Sequence, residues 1–95
     1  MGKALGLIEV IGFSTAVEVA DAMIKSADVI LIGVEITKGN GFVTIKVSGD
    51  VGAVNAAVET GKAVADLFGK FISADSIARP HEACLLYTSP SPRDS

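Results

Sequence analysis

Two periodicities alternate along this chain, one of two residues and one of about 3.6. Residues 4–11, rich in Leu and Ile, predict a strand. Thr15 to Glu18 spells a capping box, T-x-x-E, with Phe13 just before it, and predicts a helix running to about Ser26. In that helix Ala16, Ala20, Met23, Ile24 and Ala27 fall on one face, while Glu18, Asp21 and Lys25 fall on the other. Asp21 precedes Lys25 by four residues, the better orientation for a helical ion pair. A second strand is expected over 29–37, with Ile30, Ile32, Val34 and Ile36 alternating onto one side. A third over 42–48 turns Val43, Ile45 and Val47 inward and Thr44, Lys46 and Ser48 outward. The four residues between them contain two glycines and read as a hairpin turn. Asp50 is a good N-cap for a helix from Val51 to Phe68, and Gly69 sits where that helix should stop. Its face of Ala53, Ala57, Gly61, Val64, Ala65 and Phe68 is mostly small, which lets a helix lie close to a sheet. Weak alternation over 71–79 gives a fourth strand. The order predicts an α+β fold, the ferredoxin-like βαββαβ arrangement: an antiparallel four-stranded sheet with its helices packed on one face.

Composition adds one constraint. Ninety-five residues make one domain, and a chain this small buries only about 60–65% of its unfolded surface. Yet 49% of residues are hydrophobic and the mean hydropathy is +0.52. The longest apolar run, Val29 to Val34, is interrupted by Gly33 and falls far short of the ~18 residues a membrane helix needs. An oligomer that buries apolar surface between subunits is therefore expected. The net charge of −3 carries little information, and no basic stripe or aromatic platform points to nucleic acid. Lys3 is followed by alternating Leu, Gly and Ile, so no signal peptide is expected and a cytoplasmic location is the default.

Residues 84–95 stand apart. Their run from Cys84 through Leu85, Leu86 and Tyr87 into a Ser/Pro-rich end predicts a disordered tail. The stretch also resembles the translation of an adaptor used in transposon-based sequencing libraries, so it is set aside from fold and function. On that reading residues 1–83 are the domain and the native C-terminus is missing. Cys84 is the one cysteine, so the domain itself has no thiol chemistry, disulfide or Cys-based metal site.

Few residues suggest chemistry. Lys38-Gly39-Asn40-Gly41 reads by spacing as an ordinary hairpin turn. Lys25 reads as a solvated helix residue. His81 in Arg79-Pro80-His81 has no Ser, Cys or carboxylate at triad spacing. Gly39-x-Gly41 lacks the third glycine and the following helix of a dinucleotide fingerprint. No catalytic residue, metal site or cofactor is expected. A ferredoxin-like regulatory domain that binds a small molecule is the alternative left by pattern alone.

A family resemblance changes this picture. Ala4-Leu5-Gly6-Leu7-Ile8-Glu9, Ala20-Asp21-Ala22-Met23-Ile24-Lys25, the stretch from Val29 to Val58 and Ala78-Arg79-Pro80-His81 together resemble the single-domain shell proteins of bacterial microcompartments, the BMC domain. The resemblance implies a non-enzymatic homohexamer whose edges tile into a sheet with other shell proteins, forming the shell of a microcompartment. It implies that Lys38, Gly39, Asn40 and Gly41 ring a central pore for small polar metabolites. It places Lys25 and Arg79 at the hexamer edge, with Asp28 beside them pairing with Lys25 or adjusting edge contacts. Family members carry a fold related to the ferredoxin-like one by a permutation-like change, and usually add a C-terminal helix after the Arg-Pro-His segment. Ser48-Gly49-Asp50 departs from the family's common Arg-Gly-Asp and so lacks a possible ion pair between subunits.

Overall fold

A computed structural model describes residues 3–37 and 39–79 of the chain. The elements follow in the expected order: β1 (Lys3–Ile11), α1 (Phe13–Ser26), β2 (Val29–Ile36), β3 (Phe42–Asp50), α2 (Val51–Leu67) and β4 (Phe71–Arg79). The strands form one sheet in the order β2-β3-β1-β4, and each neighbouring pair is antiparallel. Period-two patterning explains the two central strands. Ala4, Gly6, Ile8 and Val10 of β1 and Val43, Ile45 and Val47 of β3 are buried, and the residues alternating with them are only partly so. Both helices cover that buried face. Thr15, Ala16, Val19, Ala20 and Met23 of α1 and Val54, Ala57, Val58, Gly61 and Ala65 of α2 complete the core.

Two glycines set how closely α2 lies on β1. A Cβ on Gly6 would come within 2.9 Å of methyl groups of both Val54 and Val58 and 3.0 Å of Val47. One on Gly61 would overlap the end of the Ile8 side chain and lie 3.0 Å from the Met23 sulfur. Of the small-residue face expected for this helix, Ala57, Gly61 and Ala65 are buried, while Val54 and Val58, which were not expected there, are the residues that meet Gly6. At its end Gly69 takes a φ of 66°, its N–H donates to the Asp66 carbonyl at 2.9 Å, and the Lys70 N–H donates to that of Ala65 at 3.0 Å. This is the paired closure that a left-handed glycine allows.

Several local expectations are corrected. The first helix begins at Phe13, two residues before the expected capping box, and no side chain caps it. Gly12 occupies the N-cap position with φ 88°, a conformation open to glycine, and its N–H is held by the Gly41 carbonyl at 2.9 Å. Thr15 therefore falls inside the first turn and is buried. Asp50 does sit at the N-cap of α2, but its side chain makes no capping bond. The apolar stripe of α1 runs through Ala16, Val19, Ala20 and Met23, a rotation that buries Val19 and leaves Ile24 43% exposed. Phe68 is likewise exposed rather than part of the buried face of α2.

The largest correction concerns β2. Leu31 pairs with Val47 and Gly33 pairs with Lys46, so Ile32 is an extra residue in the ladder. This bulge reverses the alternation. Ile30 shares the open face with Ser48, whereas Val34 and Ile36 share the helix-covered face with Ile45 and Val43. The four residues expected on one side are split between two.

The glycine contacts make a test by thermal or urea unfolding. Gly61→Ala gains up to about 1 kcal/mol of helix propensity, but overpacking a filled site costs about 1–3 kcal/mol, so net destabilisation is expected. Gly52→Ala, in the same helix, meets nothing within 4 Å and should hold or raise stability. Equal effects from the two substitutions would show that α2 does not depend on close approach at Gly61.

Candidate functional site

The loop after β2 is built by its glycines. The last pair of the β2–β3 ladder is Ile36 with Val43, and the Thr37 N–H donates to the Phe42 carbonyl at 2.8 Å to close the hairpin. Gly39 and Gly41 take φ values of 93° and 74°, a region that side chains with a Cβ rarely enter. Asn40 lies between them, exposed. Its Oδ1 accepts the Phe42 N–H at 3.4 Å, an Asx-type turn. That backbone donor settles which end of the side-chain amide points inward, so the NH2 group is the part free to donate outward. The Gly41 carbonyl in turn accepts from Gly12, which ties the loop to the junction of β1 and α1. Of the four residues expected in this loop, Gly39, Asn40 and Gly41 are placed, and Lys38 lies outside the described residues.

The candidate edge residues sit at the opposite end of the sheet. Val29 pairs with Gly49, Gly49 with Ala4 and Ala4 with Ala78, so one row crosses all four strands there. Lys25 lies in the last turn of α1 and Asp28 leads into β2 on one side of this row, while Arg79 closes β4 opposite Lys3 on the other. Three strand spacings separate the two sides, about 14 Å. Along β3, eight steps separate Phe42 at the loop from Asp50, one residue past that row, about 27 Å. Lys25 pairs with Asp21 at 3.1 Å, the i,i+4 pair expected, and its side chain is 72% exposed. The salt bridges among the described residues include none between Lys25 and Asp28. The Asp28 carbonyl instead backs onto Gly49, where a Cβ would lie 3.0 Å away. Pro80 and His81 lie outside the described residues.

Sequence reasoning found an excess of apolar surface without locating it. The structure places much of it along β2 and the outer side of α1. Phe13, Val17, Ile24, Leu31 and Val34 line a shallow apolar groove of about 240 Å³ there. Ile36 stands further along the strand on the same face, while Ile30 is exposed on the open face and Ile32 at the bulge, all three more than half exposed. Across the sheet, Leu67, Phe68 and Ile72 form a second exposed apolar group where α2 hands over to β4. The only advance signal was hydropathy that a small monomer cannot hide. The open face of the sheet is mixed: Lys46 pairs with Glu35 at 2.7 Å, and the Ser73 hydroxyl donates to Glu9 at 3.4 Å. Among the described residues no three His, Cys, Asp or Glu side chains gather as a metal cluster, and no helix is long and apolar enough to cross a membrane.

Comparison with known proteins places this geometry. The model of the BMC domain matches residues 4–80. The chain is 49% identical over 79 residues to the bacterial microcompartment shell protein PduA of Citrobacter freundii, covering 83% of this chain and 84% of that protein. It is 51% identical over 82 residues to the carboxysome shell protein CsoS1 of Prochlorococcus marinus, covering 85% and 79%. It is also 43% identical over 90 residues to the shell protein PduK of Salmonella typhimurium, covering 95% of this chain but 56% of that longer protein. A crystal structure of a microcompartment protein from Desulfitobacterium hafniense DCB superimposes with a TM-score of 0.75 at 30% identity, covering 81% of this chain and 41% of that one. The chain thus spans about half the length of these last two proteins and most of the length of the others.

Proposed function

Because the chain belongs to the BMC domain family, we propose that it is a structural shell protein of a bacterial microcompartment, acting through assembly rather than catalysis. Copies associate with one another and with other shell proteins. The assembly is a homohexameric tile. Gly39, Asn40 and Gly41, with Lys38 beside them, ring its central pore, and Lys25, Asp28 and Arg79 lie at its outer edge. The observation that carries this reading is the separation of the two groups by the length of the sheet, about 27 Å. One end of each subunit is then free to meet a symmetry axis while the other meets the next tile. The exposed apolar groups on opposite sides of the sheet support a ring. They are two different surfaces, so copies packing one against the other make a head-to-tail contact that can close cyclically. Six loops built on left-handed glycines crowd around an axis with little steric conflict. Six Asn40 amides then offer N–H donors to a passing polar metabolite. The relatives are shell proteins by name and give the alternative of a ligand-binding regulator no support.

Residues 84–95 are read as foreign to the domain. The family match ends at residue 80, before this tail, although the 90-residue match to PduK runs into it. Deleting 84–95 should leave melting temperature and assembly unchanged. A loss above about 1 kcal/mol, the size of a typical mutational effect, would make the tail part of the domain.

The edge and the pore have separate tests. Lys25→Ala removes one exposed helical ion pair worth about 0.3–0.5 kcal/mol, so unfolding should barely change. Native electrophoresis should still show hexamers, while negative-stain microscopy should show fewer and smaller sheets. Dissociation to monomers would place Lys25 inside the hexamer and remove it from the edge. At the pore, Asn40→Gly should widen the hole and Asn40→Leu should slow polar solutes by removing hydrogen-bond partners. The measurement is flux of a small polar substrate into reconstituted shells whose assembly has been confirmed. Equal flux for Gly, Asn and Leu at position 40 would return the loop to a plain turn.

A further inference from the structure

The sheet has two outer strands, β2 and β4, and each carries one extra residue in its ladder. In β2 it is Ile32, between the pairs Leu31–Val47 and Gly33–Lys46. In β4 it is Ile72, between the pairs Phe71–Val10 and Ser73–Glu9. The inner ladder shows no such break: β1 and β3 stay in register over nine consecutive pairs, from Lys3–Asp50 to Ile11–Phe42. Irregularity is confined to the edges, where a free row of N–H and C=O groups would otherwise be a template for another strand.

The hazard is greatest at β2. Val29-Ile30-Leu31-Ile32-Gly33-Val34 is uncharged, free of proline and rich in β-branched residues, the pattern of segments that stack into cross-β arrays. Ile30 is 68% and Ile32 53% exposed. Edge lysine and proline, two common guards, are absent from this stretch. What interrupts it is the bulge, which bends the strand, raises its twist and breaks the even spacing that a partner strand must match.

We propose that the bulges at Ile32 and Ile72 close both edges of the sheet to strand addition by a second copy. Copies of this chain then meet through side chains, such as those lining the α1–β2 groove, and not through a shared ladder. This holds whether or not the Asn40 loop forms a pore.

The register makes a clean experiment. Deleting Ile32 joins Leu31–Val47 directly to Gly33–Lys46 and leaves every other cross-strand pair unchanged. The residue lost is more than half exposed, so no buried side chain is removed. Ile32→Ala removes the side chain but keeps the extra backbone unit. Full-length wild type, the Ile32 deletion and Ile32→Ala would be compared by circular dichroism, thioflavin T fluorescence, amide I infrared spectra and electron microscopy. The deletion should keep the native circular dichroism and form thioflavin-positive fibres, with the infrared band shifted to the intermolecular β range. Wild type and Ile32→Ala should form none. Adding Ile30→Lys to the deletion should suppress the fibres, because a charge on the edge repels a second copy. Three results would overturn the proposal. A deletion that assembles like wild type would show that the bulge guards nothing. Fibres from Ile32→Ala as well would assign the effect to the side chain. Loss of native circular dichroism in the deletion would make the extra residue a requirement of the monomer's own fold.

Discussion

The distance between α2 and β1 governs much of this molecule. β1 is the strand that joins the sheet together, pairing with β3 on one side and β4 on the other. A helix can cover it closely only where side chains stand aside, and Gly6 and Gly61 are those places. With α2 seated, the Ser76 hydroxyl on β4 reaches the Asn55 Oδ1 at 2.9 Å, and Ile8 and Met23 close against the helix. Both ends of β1 are then defined. At one, Gly12 turns the chain into α1 and holds the Asn40 loop through Gly41. At the other, the row through Val29, Gly49, Ala4 and Ala78 fixes the surroundings of Lys25, Asp28 and Arg79.

Most of the fold was legible because it is written in local terms. The central strands alternate cleanly, the second helix carries a small face and a terminal glycine, and the hairpin carries its glycines. What escaped was set by partners distant in sequence. The capping box failed because Gly12 is held from across the molecule by Gly41, which moved the helix start to Phe13. The alternation of β2 failed because a bulge is a property of two paired strands, and a one-residue slip exchanges the faces. Ile24 was misplaced because a stripe of alanines tolerates rotation of the helix, and packing of Val19 decided the angle. The loop and edge assignments rest on resemblance rather than on chemistry. Lys25, Asp28 and Asn40 are ordinary exposed side chains that the fold sets at opposite ends of the sheet.

The exposed apolar surface is the other half of the design. A chain with Phe13, Val17, Ile30 and Ile36 uncovered along α1 and β2, and Leu67 and Phe68 uncovered at the end of α2, exposes apolar surface of the kind that association buries. Such surfaces favour association of any kind, and a shell requires association of one kind. The broken edge ladders narrow the choice by discouraging approach along a strand.

The pairing of Lys3 with Arg79 has a consequence for how the chain comes into being. β1 is made first, yet its two ladder partners begin at residues 42 and 71. No neighbour in sequence can hold it, so during synthesis the future centre of the sheet emerges with both edges bare. The closing contacts span more than seventy residues, and loop closure of that length precedes any reward from the ladder. A ribosome must therefore deliver the chain through residue 50 before β1 gains its first partner, and through residue 79 before the second completes the sheet. Until then the apolar stretch at Val29–Val34 is also uncovered, and crowding of nascent chains is the moment of greatest exposure to misassembly.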